Sequence, residues 1–240
     1  MTQLGHGLFA IGHHEDALSV REAELTMERR LGGSEDNILA VQGNLAGAYY
    51  AVGRFEEALS LRRDVYSGTL KLYGEESFET LREANNYAAL LKELKHFTLA
   101  RSVLHKAIPV ARRILGASHQ ITITMRTQSA ATFLHNPGAT LDEIREAINT
   151  LEEMEPIARR IGGDGNDNTL RLRWNYALSL YNDPSATPDD LREAINTLEE
   201  IEPTARRVLG GAHPLVGGIE GSLRHAQFLL RAREAPSTSA

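Results

Sequence analysis

Apolar residues recur at three- and four-residue steps along the chain, the spacing of a helix that lays one face on a core. Leu39, Leu45, Ala46, Tyr49 and Val52 follow this step, and Gly53 ends the stretch. Phe55, Ala58, Leu59, Leu61, Val65 and Leu72 resume it, and Gly74 closes the second stretch. The pattern predicts two helices joined by a tight turn, with a glycine stop after each.

The pair repeats. Asn44 and Asn86 are 42 residues apart, as are Ala46 and Ala88, Phe55 and Phe97, and Ala58 and Ala100. Gly32, Gly74 and Gly116 keep the same step. The step then becomes 47, through Gly116, Gly163 and Gly210 and through Pro109, Pro156 and Pro203. Residues 145–160 and 192–207 agree at 14 of 16 positions, which chance does not produce. The longer step has a visible source. His135-Asn136-Pro137-Gly138-Ala139-Thr140 and Asn182-Asp183-Pro184-Ser185-Ala186-Thr187-Pro188 stand where earlier repeats have Gly53-Arg54 and Lys95-His96. Proline and glycine end one helix there and a polar residue caps the next, so the insertions lengthen a turn and leave the stack intact.

Two alanine series mark helix crossings: Ala46, Ala88, Ala130 and Ala177, and Ala17, Ala58, Ala100, Ala147 and Ala194. A leucine at such a crossing would overpack it, at a cost of roughly 1–3 kcal/mol. Pro109, Pro156 and Pro203 fall inside second helices, and a kink is expected at each. The chain starts part-way through a repeat, which predicts a short or absent first helix before Gly12. A lone capping helix is expected near 213–232, because the end of a stack exposes apolar surface.

Composition narrows the role. With no cysteine, the chain has no disulfide framework, thiolate metal site or cysteine nucleophile. The net charge of −6 is spread over mixed signs and argues against a nucleic-acid partner. The apolar runs fall short of the ~20 residues of a membrane span. The opening MTQLGHGLFAIG lacks the basic start of a signal peptide, so a cytoplasmic location is the default.

The segments NLAGAYYAVGRFEEAL from Asn44 and NNYAALL from Asn85, with the linkers RRILGASH and RRVLGGAHP, resemble the tetratricopeptide repeats of the kinesin light chain family. The likeness covers roughly residues 8–230. The repeats exceed the tetratricopeptide length of about 34 residues, the linkers at Gly32 and Gly74 lack the His-Pro pair, and repeats four and five carry the insertions. Repeats and resemblance together predict an all-α, right-handed α-solenoid of about five helix pairs plus a C-terminal capping helix. It would form one repeat domain over 1–233, with repeats near 1–33, 34–75, 76–117, 118–164 and 165–211, a cap at 212–233 and a disordered tail at 234–240.

The resemblance also implies a role. First helices of such pairs line a concave face on which extended peptides lie, so the expected activity is protein binding by a non-enzymatic scaffold without cofactors. Position by position, the groove residues would be Asn44 and Tyr50 in repeat two, and Arg82, Asn85, Asn86 and Lys92 in repeat three. Gln128 follows in repeat four, and Arg171, Trp174, Asn175 and Tyr181 in repeat five. The column Asn44, Asn86, Gln128 and Asn175 would meet a peptide main chain with both donors and acceptors. Arg82 and Arg171 would take acidic side chains as forks, and Trp174 and Tyr181 would serve as rigid anchors. The alternative is a subunit that packs by its convex face or ends in a larger assembly or homo-oligomer.

Other chemistry is sparse. His13-His14 beside Glu15 and Asp16 reads as a helix start. Gly162–Asn168 lacks the spacing and closing glutamate of a calcium loop and reads as a turn. Glu152-Glu153 and Glu199-Glu200 repeat with the scaffold and read as an exposed helix face.

Overall fold

The computed structural model describes residues 2–10 and 12–234. Among them are eleven α-helices and no strand. They form two compact units, residues 1–114 and 115–240. The first holds α1 (Thr2–Ala10), α2 (His14–Arg30), α3 (Glu35–Ala51), α4 (Phe55–Tyr73), α5 (Phe78–Glu93) and α6 (Phe97–Ile114). The second holds α7 (Gln120–Leu134), α8 (Leu141–Gly162), α9 (Asp167–Asn182), α10 (Pro188–Leu209) and α11 (Pro214–Glu234). Within each unit, every helix packs on its neighbour in sequence. The short first helix is present as the nine-residue α1, and the expected cap is α11. Residues 235–240, most of the expected tail, lie outside the described residues. No helix among the described residues is long and apolar enough to cross a membrane.

The alanines mark the crossings. Every member of both series is at most 2% exposed. Around them, Leu18, Leu25, Val41 and Leu45 form a core in the first unit. Leu170, Leu191, Leu198, Ile201, Val216 and Ile219 form one in the second. Two expected core residues stand outside. Phe55 and Leu72 are exposed, because they occupy the first and last turns of α4. The Phe55 ring instead lies 5.4 Å from the Tyr50 ring across the α3–α4 turn.

Four of the five linkers between repeats share one mechanism. Gly74, Gly116, Gly163 and Gly210 all have φ between 75° and 92°, a region that costs an L side chain energy. Three residues later stands the N-cap of the next helix: Ser77, His119, Asn166 or His213. The Ser77 hydroxyl accepts from the Thr80 N–H at 3.0 Å. His119 and His213 accept through Nδ1 from the N–H groups of Ile121 and Leu215, each at 3.2 Å. The histidine of the LGxxH linkers is thus a helix cap. The longer insertions are also capped. Thr140 with Glu143, and Thr187 with Asp190, form reciprocal capping boxes at the starts of α8 and α10.

The prolines do not interrupt their helices: α6, α8 and α10 run on both sides of Pro109, Pro156 and Pro203. All three sit at exposed positions. The carbonyls that lose a donor belong to His105, Glu152 and Glu199, also exposed residues, where water is available to take the missing bond.

Candidate functional site

In the first unit, α3 and α5 are the first helices of their pairs. Asn44 is half-buried on α3, and its carboxamide has no hydrogen-bond partner among the described residues. Tyr50 is 39% exposed one and a half turns further on. Burial, and then the charge of Glu93, raise its phenol pKa above the ordinary value, so the hydroxyl stays a donor. On α5, Asn85 and Asn86 are half-buried and Arg82 is exposed. Lys92 lies against its neighbour Glu93 at 3.1 Å.

Glu83 organises this face. It is 7% exposed and accepts from three side chains. The Arg62 guanidinium of α4 donates to Oε2 at 3.1 Å, and Asn86 Nδ2 donates to the same oxygen at 3.3 Å. Arg82 Nε donates to Oε1 at 3.0 Å. Arg62 also donates to the main-chain carbonyl of Gly43 on α3, at 3.0 Å. Burial pulls the Arg62 pKa below the usual arginine value, and the Glu83 carboxylate opposes that shift. One buried acid therefore joins α3, α4 and α5. It holds Arg82 by Nε, and the two terminal nitrogens of that fork make no hydrogen bond among the described residues.

In the second unit, the expected residues divide. Arg171 is exposed, and its Nε donates to Asp167 one turn earlier at 2.8 Å. Gln128 is half-buried on α7. Asn175 is 6% exposed and donates through Nδ2 to the Arg171 carbonyl at 2.8 Å, within its own helix. Its Oδ1 is buried without a partner among the described residues. Trp174 and Tyr181 face α11. The indole N–H bonds Ser222 at 2.9 Å, and the Tyr181 ring meets His225 edge-on at 5.4 Å. Burial raises the Tyr181 pKa, consistent with a packed ring.

Sequence reasoning passed over Arg62, Glu83 and Ser222. A signal for Glu83 was present: the matching positions are Val41, Met125 and Leu172, and a lone acid in an apolar column calls for a buried partner. Nothing in the spacing announces Arg62, because it reaches Glu83 from another helix.

A family model described as tetratricopeptide repeat matches residues 38–79 and 80–121, at the same 42-residue step. No curated protein sequence matches the chain. Among solved structures, a kinesin light chain protein of Podosopora anserina with nearly identical TPR-like repeats is similar. A singly substituted form of it gives a TM-score of 0.67 at 19% identity, over 85% of this chain and 92% of the other. The form without that substitution gives 0.65 and 19%, over 85% and 93%. BtubC (BKLC) from P. vanneervenii gives 0.57 and 16%, over 99% and 82%. At such identities the likeness concerns the fold. Residues 38–121 thus match tetratricopeptide repeats, and the all-α fold of the chain is similar to that of kinesin light chain-like repeat proteins.

Proposed function

We propose that the chain is a protein-interaction scaffold whose first helices bind an extended, polar or acidic segment of a partner protein. The observation that carries this reading is the α3–α5 face. Asn44, Asn85 and Asn86 lie half-buried on these helices, which also carry an exposed Tyr50 and an exposed Arg82 held through Nε by Glu83. Half-buried carboxamides suit a peptide main chain, and a preset guanidinium suits a carboxylate. Presetting lowers the ordering cost of binding. In the second unit, Arg171 offers the same fork, held by Asp167. Trp174, Asn175 and Tyr181 support that face from within and are poorer candidates for direct contact.

The role is read as binding. The test is capture of partner proteins by the wild-type chain and by Asn44→Ala/Arg82→Ala, with circular dichroism as the control. Lost capture at unchanged helicity is expected. Equal capture by both would rule the α3–α5 face out.

A further inference from the structure

The second unit presents one surface twice. Across residues 145–160 of α8 and 192–207 of α10, all eight exposed positions are identical: Arg, Glu, Asn, Glu, Glu, Pro, Arg and Arg. The two differences, Met154 against Ile201 and Ile157 against Thr204, are buried or half-buried. The first helices of the same two repeats have diverged. Residues 120–134 and 167–181 agree only at Thr122/Thr169, Arg126/Arg173 and Ala130/Ala177. Copying of a whole repeat would have left both helices alike. Stability does not hold exposed positions constant either, since exchanges there are nearly neutral, whereas core positions are the constrained ones.

Part of this identity has an internal reason. Glu153 binds Arg126 and Glu200 binds Arg173, while Arg159 and Arg206 each bind two acids. Asn149, Asn196, Arg160 and Arg207 have no such bond among the described residues. The two faces adjoin: the Tyr176 hydroxyl of α9 donates to Glu193 at 2.6 Å and lies 3.5 Å from Glu152.

At about 100° per residue, Asp142, Asn149, Glu153, Pro156 and Arg160 fall on one narrow stripe along the outside of α8. Asp189, Asn196, Glu200, Pro203 and Arg207 do the same on α10. Each stripe starts acidic and ends basic. Among the described residues, Asp142 and Asp189 pair only with Arg145 and Arg192, one turn away. Laid antiparallel on a second copy's α8, the α8 stripe is complementary to itself, and the α10 stripe likewise on a second copy's α10. Asp142 meets Arg160 of the second copy and Asn149 meets Glu153, while on α10 Asp189 meets Arg207 and Asn196 meets Glu200. No glutamate of one stripe faces a glutamate of the other in this register.

We propose that this doubled face is a homodimer interface, with α8 of each copy antiparallel on α8 of the other, and α10 on α10, about a two-fold axis that crosses the helices between them. Within each stripe residue i meets j and j meets i, as an isologous interface requires, and the identity of the stripes repeats the contact at α10. The stripe carries no large apolar side chain, so the dimer is weak and loosens with salt. This surface lies on second helices and does not depend on the peptide-binding reading.

Sedimentation velocity over a concentration series at low salt tests it. The wild type shifts from monomer to dimer as concentration rises. Arg160→Glu/Arg207→Glu sets acid against acid, and Asp142→Arg/Asp189→Arg sets base against base. Each variant alone is expected to weaken the dimer at least about tenfold, and an equimolar mixture of the two to regain it. A wild type that stays monomeric, a variant that dimerises as well as the wild type, or a mixture that stays monomeric would each overturn the proposal.

Discussion

The indole N–H of Trp174 donates to the Ser222 hydroxyl at 2.9 Å and ties α9 to α11. The ring fits because Gly218 has no side chain: a methyl group there would come within 2.8 Å of it. Ser222→Ala is expected to cost about 1 kcal/mol and Trp174→Ala about 3–5 kcal/mol. Urea unfolding followed by circular dichroism measures both. Trp174 is the only tryptophan, so its emission in the wild type and in Gly218→Ala reports the same contact. Gly218→Ala should redshift it.

Glu83 is expected to be the most sensitive charged position in the first unit. Glu83→Leu leaves Arg62 largely buried without a counter-charge, which costs about 3–5 kcal/mol. Arg62→Leu/Glu83→Leu should recover most of that loss, because Val41, Met125 and Leu172 show that the same position packs an apolar side chain. A double-mutant cycle by thermal unfolding measures the coupling. A purely additive pair would contradict it.

Alkaline pH should destabilise the second unit through Tyr176. Burial first, and then the hydrogen bond from its hydroxyl to Glu193, raise its pKa above the ordinary tyrosine value of about 10. Below that value both folded and unfolded chains keep the proton, and the contribution is complete. Above it the unfolded chain ionises first, so stability falls as pH rises toward the folded value. All seven tyrosines shift in this direction, so the diagnostic is the difference between Tyr176→Phe and wild type. The variant should lose less stability than the wild type as pH is raised from about 9 to about 11, across the range in which unfolded tyrosines ionise. Urea titrations at successive pH values measure the difference.

Lys95 occupies the turn position that Gly53 fills one repeat earlier. It is the one non-glycine residue with positive φ among the described residues, at 62°. A side chain in this region costs roughly 1–2 kcal/mol, partly offset by the greater freedom of an unfolded glycine. Lys95→Gly should therefore raise stability, by up to about 1 kcal/mol in denaturant titration. A loss would mean that the lysine makes a compensating contact.

The helix pairs, their 42- and 47-residue steps and the alanine crossings were legible along the chain. Helical periodicity is local, and a small residue recurring at one repeat position leaves little choice but a close crossing. The linker caps were half legible. His119 and His213 were seen as parts of a linker motif, while their use of Nδ1 as an acceptor emerged from the geometry of the first turn. Phe55 and Leu72 were misplaced in the core because periodicity does not tell where a helix end leaves the packed layer.

The candidate face was legible as positions and not as interactions. Repeat alignment located Asn44, Asn86, Gln128 and Asn175 but treated them as equals. In the folded chain Asn44 has no hydrogen-bond partner among the described residues, Asn86 binds Glu83, and Asn175 is buried against its own helix. Which neighbour a polar side chain finds depends on residues from other helices, such as Arg62 beside Glu83 and Ser222 beside Trp174. By itself, then, the sequence determined the helices, their order and the repeat that stacks them, because those follow from short-range periodicity. Tertiary structure alone decided which side chains in the repeated columns are bound inside the stack and which face solvent, because burial and bonding partners arise only when distant helices meet.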